Sequence, residues 1–154
     1  MKRTTTAIIL LIVSALLSAC SEVSTSYYPT YEAAVKDGAV KRGWIPEIVP
    51  ESATELHEEH DLDTNNVWLR FNLSNSEKSR LTAGLQKLSH QDISKTKLRY
   101  PSKADWWFEG LIQQSPANEG ALNADIYTLK CYNGKNGYLA FDRVSEKVYY
   151  WCAE

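Results

Sequence analysis

Residues 57–61, His-Glu-Glu-His-Asp, form the densest group of side chains that could bind a metal or transfer a proton. A zinc-protease motif places its histidines four residues apart on a helix, whereas His57 and His60 are three apart in a segment typical of a strand. Because alternate side chains of a strand share a face, a surface metal site would use His57, Glu59 and Asp61. The interpretation we favour is an exposed edge strand whose polar side chains block further pairing. We therefore expect no metal and no cofactor.

Residues 61–66 begin like a calcium-binding loop, with oxygen-bearing side chains at the first, third and fifth positions. The pattern then fails, because the sixth position is Asn66 instead of glycine and the twelfth is Asn72 instead of glutamate. Asp and Asn side chains readily build turns, so we interpret the segment as a hairpin turn. It joins a strand over 54–60 to a strand whose apolar side chains alternate with polar ones: Val67, Leu69, Phe71 and Leu73.

Other patterns typical of enzymes do not identify a reaction. Ser89, His90 and Asp92 are neighbours in sequence, but a catalytic triad is assembled in space, so adjacency does not indicate one. The sequence has no Gly-x-Ser-x-Gly motif and no glycine-rich phosphate loop. A glycosidase pair of carboxylates cannot be chosen from sequence, because the required separation is spatial. We therefore expect a domain that is not an enzyme.

Aromatic side chains are abundant, with five Trp and nine Tyr, and two clusters cover residues 106–108 and 149–151. Neighbouring side chains of a strand point to opposite faces, so one of each pair is expected in the core and another could contact a protein or glycan. The candidate binding residues are Trp106, Trp107, Tyr149 and Trp151. The alternative that we favour is that these side chains are core aromatics.

The N-terminus has the three zones of a secretory signal: a positive Met-Lys-Arg start, an apolar run over 7–17 and small residues before Cys20. Residues 17–20, Leu-Ser-Ala-Cys, resemble the lipobox of bacterial lipoproteins. The resemblance implies that residues 1–19 are a cleaved signal peptide and that Cys20 carries diacylglycerol on its sulfur. Several acyl chains such as palmitate anchor a protein stably, since each buried CH₂ contributes about 0.8 kcal/mol.

The resemblance also implies a subcellular location and one class of partner. Ser21 stands where Gram-negative lipoproteins retained at the inner membrane tend to have aspartate, so we expect the outer membrane, with the domain facing the periplasm. The membrane is then a partner through the lipid anchor. Without Lys2 and Arg3, the mature chain keeps 15 basic side chains against 19 acidic ones, a net charge of −4. This charge argues against nucleic acid as a partner.

Cys131 and Cys152 are then a single pair in an oxidising compartment, where a disulfide is the default. It would close a loop of about 20 residues and contribute roughly 3 kcal/mol. One geometric difficulty remains, because a middle strand would hold the two cysteines about 10 Å apart and a disulfide needs Cα atoms within about 7 Å. Either the strand order differs or the final residues bend over the sheet edge.

The mature chain divides into a tether over 20–29 and one globular domain over 30–154. We expect an α+β fold, in which an antiparallel sheet carries its helices on one face. The sheet combines the N-terminal hairpin with a three-stranded C-terminal meander over 126–133, 138–143 and 148–152. The predicted helices are 31–36 and 76–89, and an extended apolar segment over 42–50 crosses the core.

The stretch from Gly43 to Phe71, with Trp44 and Trp68, is similar to small Gram-negative lipoproteins to which we can attach no activity. We expect a non-catalytic binding domain, with an envelope protein as a possible partner. One alternative is an inhibitor or immunity protein against a toxin or cell-wall hydrolase, because an acidic surface steers towards basic enzymes. The other is an enzyme that hydrolyses envelope polymers.

Overall fold

The computed structural model describes residues 22–93, 95, 99–107, 124–132 and 134–153. The predicted signal peptide, Cys20 and the loop predicted over 113–123 lie outside these ranges. The described strands form one antiparallel sheet in the order β1-β2-β3-β7-β6-β5-β4. The strands are β1 Val23–Thr30, β2 Thr54–Asp61, β3 Asn66–Asn72, β4 Gln86–Lys87, β5 Ala124–Lys130, β6 Asn136–Asp142 and β7 Lys147–Cys152.

The hairpin and the meander are confirmed, and β7 joins them by pairing with β3 on one side and β6 on the other. The expected tether was wrong over most of its length, because Val23–Thr30 is a strand paired with β2. As a result, β2 is an internal strand, not an exposed edge strand. Glu58, Glu59 and His60 on this strand are buried.

The described helices are few and short: α1 Tyr31–Asp37, α2 Asn75–Leu81 and α3 His90–Ile93. Helix α1 is confirmed, since the Thr30 side chain accepts the N–H of Ala33 at its start and Gly38 ends it with φ 83°. The helix predicted over 76–89 was too long, because the chain turns at Gly84, where φ is 91°. No helix among the described residues is long and apolar enough to cross a membrane.

The sheet is covered on both faces, not on one as predicted. The first face packs against α1, the apolar segment that includes Ile45 and Val49, and Leu81 of α2. The second face packs against Ile93 of α3 and the segment around Trp107. Strand β7 supplies side chains to both cores, which explains why Val148, Tyr149, Tyr150, Trp151 and Cys152 are all buried.

The disulfide between Cys131 and Cys152 is present, with a Cα–Cα distance of 5.9 Å. The strand order is the predicted one, so the chain bends: Cys131 lies beyond the end of β5, and its N–H donates to the carbonyl of Lys135 in the β5–β6 turn. The bridge crosses β6 at Gly137, where a Cβ would lie 2.5 Å from one sulfur and 2.6 Å from the other. The missing side chain of Gly137 is therefore what makes room for the disulfide.

Candidate functional site

An open groove of about 280 Å³ lies on the second face of the sheet, beside β1. Strands β1 and β2 form its floor, and the segment after α3 forms its wall. Its lining residues are Thr25, Ser26, Tyr27, His57, Lys103, Asp105 and Trp106. The volume is at the lower end for small-molecule pockets, so the groove suits a single ring or one large side chain.

Three aromatic rings meet in this groove. Tyr27 and His57 are paired residues of β1 and β2, and their ring centroids are 4.8 Å apart. The ring of Trp106 lies 5.8 Å from that of His57 on the other side. Tyr27 is half exposed, with a relative accessibility of 50%, and its hydroxyl donates to Glu55. These three adjacent rings offer a ligand an apolar surface with polar groups at its rim.

The wall of the groove is fixed by hydrogen bonds to the sheet. The carboxylate of Glu59, fully buried, accepts the backbone N–H groups of Ser102 at 2.6 Å and Lys103 at 2.9 Å. The Arg70 guanidinium donates to the carbonyl of Trp106 at 3.0 Å. The Trp68 indole donates to the carbonyl of Arg99 at 2.9 Å. Side chains from β2 and β3 therefore position Trp106 over the groove.

The imidazole of His57 is held uncharged at neutral pH. Burial lowers its pKa, and the positive charge of Arg70 lowers it further. Glu55 and Asp105 oppose this shift. An uncharged ring between two aromatic rings presents an apolar contact, with a ring nitrogen for hydrogen bonding.

The candidate metal ligands are separated by their roles in the fold. His57 lies in the aromatic groove, and Glu59 is hydrogen-bonded to the wall segment. Asp61 accepts the N–H of Asp63 at 3.0 Å and the hydroxyl of Thr64 at 2.8 Å, so it stabilises the hairpin turn predicted over 61–66. Within the described ranges, no three His, Cys, Asp or Glu side chains are grouped to hold a metal ion.

The four aromatic candidates are brought together, but only one reaches the groove. Trp107, Tyr149 and Trp151 pack edge-to-face in the second core, with centroids 5.7 and 5.8 Å from Trp107. They are buried, which confirms the core interpretation and corrects their assignment as binding candidates. Trp106 is half-buried and lines the groove.

The sequence neighbours Ser89 and Asp92 have a structural role. The Ser89 hydroxyl caps α3 by accepting the N–H of Asp92.

Sequence reasoning missed five of the residues that line the groove: Thr25, Ser26, Tyr27, Lys103 and Asp105. The signal for Tyr27 was present, since Val23, Thr25 and Tyr27 alternate as in a strand. Lys103 and Asp105 carry no such signal, because their place depends on hydrogen bonds between segments far apart in sequence.

A second polar group lies on the opposite face of β2. Oε1 of Glu58 lies 2.7 Å from Nδ1 of His60, and both side chains are buried. The indole of Trp44 stacks on His60 with centroids 3.8 Å apart, and Arg42 lies over Trp44. Oε2 of Glu58 has no hydrogen-bond partner among the described residues. Glu58 and His60 are closed from solvent, so we assign this pair to the fold and not to the binding site.

The Glu58 carboxyl should make stability depend on pH. Burial, and next the neighbouring Glu59, raise the pKa of Glu58 to about 8, although Ser26 and Arg42 oppose the shift. The unfolded chain has the ordinary value of 4.5, so the folded state binds more protons between these values and loses stability as pH rises through them.

Glu58→Gln keeps the shape of the uncharged side chain and does not titrate. We expect its free energy of unfolding, relative to that of the original chain, to increase by a few kcal/mol from pH 5 to pH 9, at about 1.4 kcal/mol per pKa unit. Urea unfolding across this range measures the difference. His60, whose pKa burial lowers, opposes folding only at the acidic end. A difference that stays constant with pH would contradict the assignment.

The described residues thus form a sheet-rich domain with few short helices and an aromatic groove on its surface. In the comparisons with known proteins, residues 22–72 match the family model of the YbbD head domain. The match covers about a third of the chain, from β1 to β3, and includes Tyr27 and His57 of the groove. No curated protein and no solved structure matches the chain.

Proposed function

We propose that this chain is an outer-membrane-anchored periplasmic lipoprotein whose domain binds a ligand without catalysis. The proposed location rests on the lipobox-like residues 17–20 and on Ser21. The Cys131–Cys152 disulfide supports an oxidising compartment. The helices of this α+β domain serve to close the two cores and to support the wall of the groove.

The observation that carries the binding function is the groove formed by Tyr27, His57 and Trp106. Its rings are positioned by the sheet before any ligand arrives, which lowers the entropic cost of binding. His57 is held between rings, an arrangement that suits contact with a ligand rather than proton transfer. An envelope protein is the partner class that we favour.

We expect Cys20→Ala to release the protein from the membrane, because the acyl chains carried by the cysteine sulfur are lost. Fractionation after a salt wash, followed by immunoblotting, measures this. The original chain should stay in the outer-membrane fraction. A Cys20→Ala protein that stays in the washed membrane pellet would contradict the lipoprotein address.

Affinity capture from envelope extracts, with the protein as bait, tests the binding function. Trp106→Ala should lose a saturable partner that Tyr132→Ala keeps, since Tyr132 is fully exposed away from the groove lining. Equal capture by both variants would contradict the groove as the binding site. Turnover of purified peptidoglycan by the original chain would favour the hydrolase alternative instead.

A further inference from the structure

Strand β1 is at one end of the sheet and, among the described strands, pairs with β2 alone. The N–H of Leu62 donates to the carbonyl of Glu22, which sets the hydrogen-bonded pairs of this ladder at the even-numbered residues of β1. The backbone N–H and C=O groups of Thr25 and Tyr27 therefore point away from β2. The edge offers two donors and two acceptors in the spacing that another strand needs.

Both ends of this open stretch are blocked. The ammonium group of Lys103 donates to the carbonyl of Val23 at 2.7 Å, from the side that faces away from β2. Pro29 has no N–H to offer at the other end. Proline and lysine are the residues with which proteins prevent unwanted edge pairing. Here they flank Thr25 and Tyr27, so the edge accepts a short segment and excludes a long one.

The groove opens beside the same stretch. Tyr27 contributes its backbone groups to the edge and its side chain to the groove. In a strand added to β1, a long side chain on this face would lie next to Thr25 and Tyr27 and reach across them into the groove towards Trp106. A volume of about 280 Å³ lined by three rings suits one bulky apolar side chain.

We propose that a short extended polypeptide segment of a partner protein adds to β1 as an eighth strand and inserts one aromatic side chain into the groove. This mode of recognition combines main-chain hydrogen bonds for affinity with a side-chain pocket for specificity. The inference rests on the proposed function, since it names the ligand of the same site. The open backbone groups of β1 favour a peptide, because a sugar ring would use the rings of the groove and leave those groups unmatched.

The test uses heptapeptides selected from a phage-displayed random library against the full chain purified in detergent. A selected peptide is then N-methylated at one position at a time. We expect binding to fall by at least about tenfold at alternate positions and little between them, because only alternate N–H groups of an added strand face β1. Thr25→Pro should weaken binding by a similar factor, because it removes one of the backbone N–H donors of the open edge.

Tyr27→Ala should weaken the same peptide, and Tyr132→Ala serves as the exposed-tyrosine control. The N-methyl series keeps the test decisive even where Thr25→Pro does not fold. Losses without alternation, or selection of no peptide while chitotetraose quenches tryptophan fluorescence, would overturn the proposal. So would a dimer in sedimentation that Thr25→Pro dissolves, since the edge would then serve a second copy. Membrane release of Cys20→Ala is scored separately, so failure of the proposed address and failure of strand addition are distinguishable.

Discussion

Gly137→Ala should cost the chain about 3 kcal/mol or more, and the variant should accumulate with free thiols. The added Cβ would lie 2.5 Å from the sulfur of Cys152 and 2.6 Å from that of Cys131, closer than real contacts allow. Strand β6 is held between β5 and β7, so the backbone has little room to retreat. The disulfide must shift or fail to form. Urea unfolding and thiol titration measure the two consequences.

The control is the same substitution in a Cys131→Ala, Cys152→Ala background. With both sulfurs removed, alanine should be tolerated at position 137 within about 1 kcal/mol, since glycine has no intrinsic advantage inside a strand. The two sites should therefore be strongly non-additive. An equal cost in both backgrounds would show that Gly137 is needed for another reason, such as the contact with Leu129.

Glu59→Ala should cost about 3–5 kcal/mol, because it removes one buried acceptor from several donors at once. The carboxylate accepts the N–H groups of Ser102 and Lys103 and the hydroxyl of Ser102. Without it, those donors are left near the sheet with no partner, and the segment that carries Trp106 loses its main attachment. Urea unfolding gives the cost, and hydrogen exchange at the amides of Ser102 and Lys103 should increase.

Glu47→Ala is the matched control, since Glu47 is exposed. Its substitution should change stability by less than about 0.5 kcal/mol. Glu59→Gln should fall between the two, because its amide oxygen still accepts while its NH₂ group faces other donors. Unchanged amide protection in Glu59→Ala would mean that Arg70 and Trp68 hold the segment without the carboxylate.

Local patterns in the sequence predicted much of the sheet. The alternation from Val67 to Leu73 and the Asp and Asn residues of the turn placed the first hairpin. The turn predicted over 134–137 was about two residues too late, because Asn136 and Gly137 belong to β6. Strand β1 was missed because its serine and threonine side chains suggested a tether, although Val23, Thr25 and Tyr27 alternate. A polar strand of this kind is identified by its pairing, and pairing is a property of the whole fold.

The helix predicted over 76–89 was too long because leucines at a helical spacing pack in two different cores. Leu81, Leu85 and Leu88 follow a helical period, but Leu81 and Leu85 pack in the first core and Leu88 in the second. The chain crosses between the faces after Gly84. The groove could not be predicted from local sequence patterns either, because its residues come from segments far apart in the chain. Tyr27 contacts His57 through the register of β1 and β2, and Arg70 positions Trp106.

The position of β7 has a consequence for how the chain assembles. Strands β1–β3 and strands β4–β6 come earlier in the sequence, and among the described strands β7 is the one that joins the two groups in the sheet. Because β7 is the last of the described strands in the sequence, the two groups of strands each keep an unpaired side until β7 has left the export channel. Closure comes as a single late event, when residues 147–152 enter the gap and bring Cys152 to Cys131.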